Sequence, residues 1–415
     1  MTNRTVTVIG GGVAGCSVAY LLTESDYDVQ ILEKNEIGGM LSEIEFSDGS
    51  HCDSAPHVLF FDRSDAPAKR LFSEFTDLDP FDPYSKTYPT GRLSDPHDYP
   101  VSRRNAERWD DSATLKREID DARSTADGNT FDEFVTAQVG PKMYQRYFKS
   151  YTAKQWGVSP SEIVGDWFDY KIEFVEDETP FFADNEAYYP RRKYSDILTE
   201  MVEDCSVVYQ GATGLQTTGT SVTAVETVDG CFKSDIFVNT VDPAYLVSEP
   251  ESYRYRSMII VGVRTTLDDD VFPSGVWWGY FPNDYEFTRL TEYSFTPWSF
   301  DSQTLLTFEY PCFTDEQLWQ RDQAWFADRV RRFFTEQGVE GEIKEVVIRR
   351  LPRAYPLPVE ADIEAFHQTN DRLTQLENLY NVGRVATYEY VWVKDIVEAA
   401  HGIANRIDSE LGDEM

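Results

Sequence analysis

Thr5-Val6-Thr7-Val8-Ile9-Gly10-Gly11-Gly12-Val13-Ala14-Gly15 is the stretch on which the fold turns. Its first five residues form a short β-branched run, the pattern of a strand buried in a parallel sheet. Three glycines follow at once, then apolar Val18, Ala19, Leu21 and Leu22 at the spacing of a helix. A second strand-like run over 27–32 ends at the acid Glu33, 18 residues past Gly15. Strand, glycine loop, helix and strand within about 30 residues make a dinucleotide-binding unit. Gly10 permits the tight turn, Gly12 lets the backbone approach a pyrophosphate, and Gly15 lets the helix pack close on the sheet. The helix N-terminus faces the anion, and Glu33 is placed to accept from a ribose diol.

Directly after the acid comes Lys34-Asn35-Glu36-Ile37-Gly38-Gly39-Met40. A second glycine pair here suits a flavoprotein whose chain passes back over the pyrophosphate. A nicotinamide dehydrogenase has no need of it, so FAD is expected rather than NAD. The far end supplies a matching unit. A strand over 378–382 runs into Gly383-Arg384, and a helix over 393–411 carries Ile396, Val397, Ala400, Ile403, Ala404 and Ile407 at helical spacing. The nucleotide domain is therefore discontinuous, with the middle of the chain inserted. The fold class expected is α/β: a Rossmann-like FAD-binding domain with an inserted helical domain and a mainly antiparallel β-sheet substrate domain. The expected boundaries are 1–63, 200–250 and 340–415 for the FAD domain, 64–150 for the helical domain, and 151–199 with 251–339 for the sheet domain. Helices are expected over 66–75, 113–124, 130–138, 143–151 and 194–202, and strands over 257–264 and 304–310.

Composition narrows the partners. The 415 residues carry 38 basic and 73 acidic side chains, a net charge of −35 spread along the whole chain. Such a surface repels phosphate backbones, so nucleic acid is excluded as a partner. It suits solubility in concentrated salt, which points to a halophile's cytoplasm. No apolar run approaches the roughly 18 residues of a membrane span, and no signal peptide is legible at the N-terminus. Five scattered cysteines without a Cys-x-x-Cys, and five histidines without a cluster, support neither a disulfide framework nor a metal site. A homo-oligomer is left open.

The run Ser150-Tyr151-Thr152-Ala153-Lys154-Gln155-Trp156-Gly157 resembles the substrate segment of the UDP-galactopyranose mutases. Further segments agree in order: Tyr285-Glu-Phe-Thr288-Arg289, Thr307-Phe-Glu-Tyr310-Pro311, Ala354-Tyr355-Pro356 and Gly383-Arg384-Val-Ala-Thr-Tyr388-Glu-Tyr390. The resemblance spans the chain, and the Lys-Gln-Trp-Gly block is far narrower than the glycine motif. It implies an isomerase that interconverts UDP-galactopyranose and UDP-galactofuranose, with N5 of reduced FAD as the nucleophile at the anomeric carbon. The cofactor residues it implies are Gly10, Gly12, Gly15, Glu33, Gly38, Gly39, Met40, Gly383 and Arg384. Tyr151, Thr152, Trp156, Lys171, Phe181, Arg289, Tyr355 and Tyr390 would bind the UDP-sugar. Arg289, Arg384 and His57 would act at the reacting end, and no metal is implied.

The chain departs from the family at three places. A phosphate-binding arginine reads Tyr170, with Lys171 or Arg191-Arg192-Lys193 as stand-ins. The second histidine of a His-x-x-His reads Phe60, and an acid after the last tyrosine reads Trp392. These losses keep an alternative in view, an FAD-dependent oxidoreductase of the amine-oxidase or protoporphyrinogen-oxidase type.

Overall fold

A computed structural model describes residues 4–61, 66–82, 84–122, 128–168, 174–180, 185–294, 296–298 and 303–412. The strand Thr5–Ile9 sits at the centre of a five-stranded sheet. Asp28–Leu32 and then Ser206–Val208 flank it on one side, Ile236–Asn239 and Leu379–Asn381 on the other, all parallel. Ile236–Asn239 is buried along its whole length, whereas Asp28–Leu32 interleaves Asp28 and Gln30 with buried Val29 and Ile31. The helices Val13–Glu24 and Val393–Gly412 pack on each other beside it. The first and last segments of the chain thus build one domain.

A second sheet of seven strands carries the inserted half. Its order is Gly341–Pro356, Tyr255–Leu267, Thr304–Cys312, Arg289–Glu292, Val276–Tyr280, Tyr84–Thr87 and His97–Tyr99. Every pairing is antiparallel except Val276–Tyr280 with Tyr84–Thr87. Alternation decides its layers. Ile259, Val261 and Val263 pack with Phe326, Val330 and Phe333 of the helix Gln323–Gln337. Met258 and Ile260 join Ile44 and Phe46 of the nucleotide domain instead.

The expected boundaries move in two places. The expected FAD-domain segment 340–415 loses residues 341–356, which pair along Tyr255–Leu267 as the edge of the seven-stranded sheet. The segment 64–150 is not wholly helical, since Tyr84–Thr87 and His97–Tyr99 complete the other edge of that sheet. Both are short or mixed-polarity runs whose strand character comes from the partner they meet.

The helical layer consists of Ser112–Ala122, Phe131–Val139 and a continuous run from Pro141 to Trp156, around Leu115, Phe131, Val135, Met143 and Trp156. That run contains a wide π turn at Tyr144–Phe148, a feature common where a helix is re-aimed toward a site. It ends at Gly157, whose φ of 70° is left-handed; a Cβ there would sit 2.6 Å from the Arg256 guanidinium.

Candidate active site

Three glycine segments meet at the N-terminus of the helix Val13–Glu24. Gly15 packs so close that a Cβ would lie 1.9 Å from the Gly10 carbonyl oxygen, which only glycine allows. Gly38 donates to the Gly11 carbonyl at 2.8 Å, and a Cβ on Gly39 would lie 2.9 Å from the Gly12 Cα. Gly383, at φ 96°, abuts Ala14 in the same way. The result is a cradle of bare backbone around helix amides that no residue caps with a side chain, the donor set a pyrophosphate needs. Glu33 closes it, its carboxylate accepting from the Gly11 and Asn35 amides at 2.7 Å each. Met40 lies in the short turn Gly39–Leu41 that follows the second glycine pair. The residues present therefore fit a dinucleotide. Arg349 was not foreseen: its guanidinium donates to the carbonyls of Gly39, Ser42 and Glu43 and pins the returning loop. It sits on a strand with no motif around it, so nothing in the sequence marks it.

Beside the cradle lies a cavity of about 240 Å³. Phe148, Tyr151, Thr152 and Gln155 reach it from one face of the helical run, at the three-, four- and seven-residue spacing that stacks side chains on one stripe. Trp156 joins them, packed edge-on to Tyr355 (5.8 Å between centroids) and Tyr390 (6.1 Å). The Arg384 guanidinium lies over both tyrosine rings at 5.3 and 5.4 Å and donates to the carbonyls of Val391 and Ala354. Opposite, Arg289 stands on the sheet floor with its Nε 2.6 Å from Glu309 Oε1 and Tyr280 beneath it. Burial works against the Arg289 charge. Glu309, with Tyr280 and Tyr355, outweighs it and holds the group protonated. Burial also pushes the Tyr151, Tyr355 and Tyr390 hydroxyls up, so these phenols are neutral donors near pH 7.

His57 lines the same cavity, its Nδ1 2.7 Å from the fully buried Asp53 Oδ1. Asp53 also takes the His57 backbone amide and the Tyr189 hydroxyl, so the imidazole is fixed in place. Tyr151, Thr152, Trp156, Arg289, Tyr355, Arg384, Tyr390 and His57 are thus brought together from five separate stretches of chain. Lys171, Phe181 and Tyr170 lie outside the described residues. The basic trio does not stand in for a lost phosphate ligand. Arg191 pairs with Asp77 and Asp79, Arg192 with Glu200, and Lys193 with Glu45, all away from the cavity. In so acidic a chain, a surface cation finds a carboxylate first.

Glu309, Asp53, Gln155 and Tyr280 also belong to the site and were not singled out. Glu309 was legible in principle: an acid in the middle of an apolar strand is costly to bury unless paired. The departures Phe60 and Trp392 turn out to be neighbours, their rings 5.3 Å apart in the cavity wall.

A Rossmann-type cradle opening onto a tyrosine- and arginine-lined cavity over an antiparallel sheet defines the class, a flavin-type enzyme with an inserted substrate domain. Residues 146–325 match the family model of UDP-galactopyranose mutase, and residues 8–75 that of an NAD(P)-binding Rossmann-like domain. Over 146–325 the chain is thus similar to the UDP-galactopyranose mutases. It is similar to the dTDP-fucopyranose mutase of Escherichia coli, 21% identical over 410 residues that cover 95% of this chain and 97% of that one. A probable UDP-galactopyranose mutase of Klebsiella pneumoniae is 25% identical over 174 residues, 39% of this chain and 44% of that one. The fold superposes on a crystal structure of reduced UDP-galactopyranose mutase with a TM-score of 0.82 at 17% identity, covering 99% and 96% of the two chains. These likenesses favour the mutase over the oxidoreductase alternative. No helix among the described residues is long and apolar enough to cross a membrane, and no cluster of metal-ligating side chains occurs among them.

Proposed function

We propose that the protein is a flavin-dependent sugar-nucleotide mutase that interconverts the pyranose and furanose forms of a nucleoside-diphosphate hexose, with UDP-galactose as the reference substrate. The observation that carries this reading is the cavity. It faces Arg289, Arg384, Tyr355 and Tyr390 toward one another beside the glycine cradle. Reduced FAD, held by Gly10, Gly12, Gly15, Glu33, Gly38, Gly39, Met40 and Gly383, would supply N5 as the nucleophile at the anomeric carbon.

The chain's own part is binding, charge and exclusion of water. Tyr151 gives the base a flat platform with Thr152 beside it, and Trp156 backs the two tyrosines. Arg289 commits its Nε to Glu309, so its terminal amino groups are what a diphosphate would engage. The neutral hydroxyls of Tyr355 and Tyr390 donate to the same oxygens. As the diphosphate departs its charge grows, and fixed donors in a dry cavity stabilise that charge without reorganising. Asp53, 2.7 Å from Nδ1, orients the His57 ring in the cavity wall. The acidic surface supports a salt-rich, intracellular setting.

The test is one assay in multimolar KCl. FAD-loaded protein receives UDP-galactofuranose with and without dithionite, and the products are separated by chromatography. Appearance of the pyranose form only with reduced flavin is the expected result. No conversion and no binding of any nucleoside-diphosphate sugar by folded, FAD-loaded protein would refute the reading.

A further inference from the structure

A buried polar knot lies behind the cavity, formed by side chains that do not line it. The helical run that carries Tyr151 is widened at Tyr144–Phe148, where the Lys149 amide donates to the Tyr144 carbonyl five residues back. Such a turn is rare, and it persists where something outside the helix holds it. Here the holder is the Tyr147 hydroxyl. It lies 2.6 Å from Nδ1 of the buried His97, accepts from Trp109 Nε1 at 2.8 Å and reaches the Asn105 carbonyl oxygen at 3.4 Å. The His97 ring packs against both aromatic partners, its centroid 5.6 Å from that of Trp109 and 5.7 Å from that of Tyr147. Asp95 Oδ1 stands 3.4 Å from the other ring nitrogen, Nε2. Over Trp109 lies the Arg146 guanidinium, 4.3 Å from the ring and itself held by both oxygens of Asp111.

Both sides of this knot run directly into the cavity. His97 opens the strand His97–Tyr99 at the edge of the seven-stranded sheet, and Tyr99, two residues on, shares its face of the strand. Phe148 follows Tyr147 in the turn, and Tyr151 comes four residues after Tyr147 on the same stripe of the helix. Tyr99, Phe148 and Tyr151 all line the cavity. The Tyr280 ring packs on both tyrosines, with centroids 4.3 Å from Tyr99 and 5.6 Å from Tyr151. We infer that His97 and Tyr147 are positioning residues for the nucleotide: their hydrogen bond fixes the π turn to the sheet edge and so sets the gap between the Tyr99 and Tyr151 sides of the cavity. The inference rests on the mutase reading for what is bound, and adds to it the residues that hold the platform for the base. Stacking of a base on an aromatic ring is worth about 5- to 150-fold in affinity, so a slackened platform should cost about tenfold.

The experiment uses FAD-loaded protein in multimolar KCl. Calorimetry gives the Kd for UDP, and turnover of UDP-galactofuranose by the reduced enzyme gives KM and kcat. Tyr147→Phe and His97→Phe should each weaken UDP about tenfold and raise KM to match, with kcat within about twofold and FAD retained. The double variant should be no more than about twofold worse than the weaker single one, because the two residues act as a unit. His97→Asn, whose side-chain amide reaches the position of Nδ1, should stay within about threefold of the wild type. Val330→Ala is the control for lost stability alone: it opens a void in the separate core beneath the helix Gln323–Gln337 and should leave Kd and KM unchanged. Unchanged UDP affinity in the folded phenylalanine variants overturns the inference and leaves the mutase reading standing. So do fully additive losses in the double variant, or the same loss in Val330→Ala. Should the phenylalanine variants fail to fold, Trp109→Phe decides, since it removes only the Nε1 donor from the knot, and wild-type affinity in it overturns the inference. Folded wild-type protein that binds neither UDP nor a UDP-sugar overturns the mutase reading and this inference with it.

Discussion

Replacing Lys154 by methionine removes the tie between the helix Lys149–Trp156 and the sheet floor. The Lys154 ammonium donates to three backbone carbonyls, those of Phe281, Tyr285 (2.9 Å) and Phe287 (2.8 Å). All three lie on the turn from Val276–Tyr280 to Arg289–Glu292, and Phe287 is two residues from Arg289. Burial pushes the Lys154 amine down to about 7, opposed by Asp284 and Glu286, and three converging carbonyl dipoles favour the charged form further. Methionine fills most of the same volume but donates nothing. Each buried carbonyl left without a donor costs about 1–3 kcal/mol. The variant also escapes the cost of burying a charge, so the terms do not simply add, and a net loss of about 3–5 kcal/mol follows. Urea unfolding of the FAD-loaded protein at constant KCl measures this loss. Tryptophan fluorescence, with Trp156 in the cavity, reports UDP binding on the same samples. Because the released turn leads into Arg289, UDP affinity should fall about tenfold while FAD stays bound. A stability loss below about 1 kcal/mol together with unchanged UDP affinity would refute the argument.

Arg289→Ala should weaken UDP binding more than about tenfold with FAD retained, since it removes a charge-assisted phosphate contact and leaves Glu309 as an unpaired buried acid; fluorescence titration decides it. Burial raises the Glu292 carboxyl to about 7, although Ser294 and the amides of Val271 and Phe272 donate to it. The folded protein therefore holds this proton more tightly than the unfolded chain, whose value is 4.5. The stability so gained is complete below that value and is lost as pH rises through about 7. Glu292→Gln should flatten the stability–pH slope in that window and add about 2 kcal/mol at pH 8, as read by urea unfolding at a series of pH values. Lowering KCl from molar to about 0.1 M lengthens the screening distance from about 3 to about 10 Å and exposes the self-repulsion of a −35 chain. The thermal midpoint should fall steadily over that range, and an unchanged midpoint would count against the salt reading of the composition.

The nucleotide domain was legible because its signals are local. A β-branched run, three glycines and an acid at fixed spacing carry their own geometry, and Gly10, Gly15 and Glu33 stand where that spacing puts them. The apolar stripe of the last helix and the stripe through Tyr151, Thr152 and Gln155 are periodicities of one element, and they too could be read along the chain. What the tertiary structure alone decided depends on pairs far apart in sequence. Residues 341–356 join the substrate sheet because Tyr255–Leu267 offers them a ladder, a preference no single strand contains. Arg289 keeps its charge in a buried site because Glu309 comes to lie across the strand pairing from it, while Arg191, Arg192 and Lys193 are drawn off by surface carboxylates. Phe60 and Trp392 read singly as two lost polar residues; only folding, which brings their rings to 5.3 Å, makes of them one stretch of cavity wall. Local geometry is written in neighbouring residues, but the charge state and polarity of a cavity are set by whichever distant groups the fold brings to its walls.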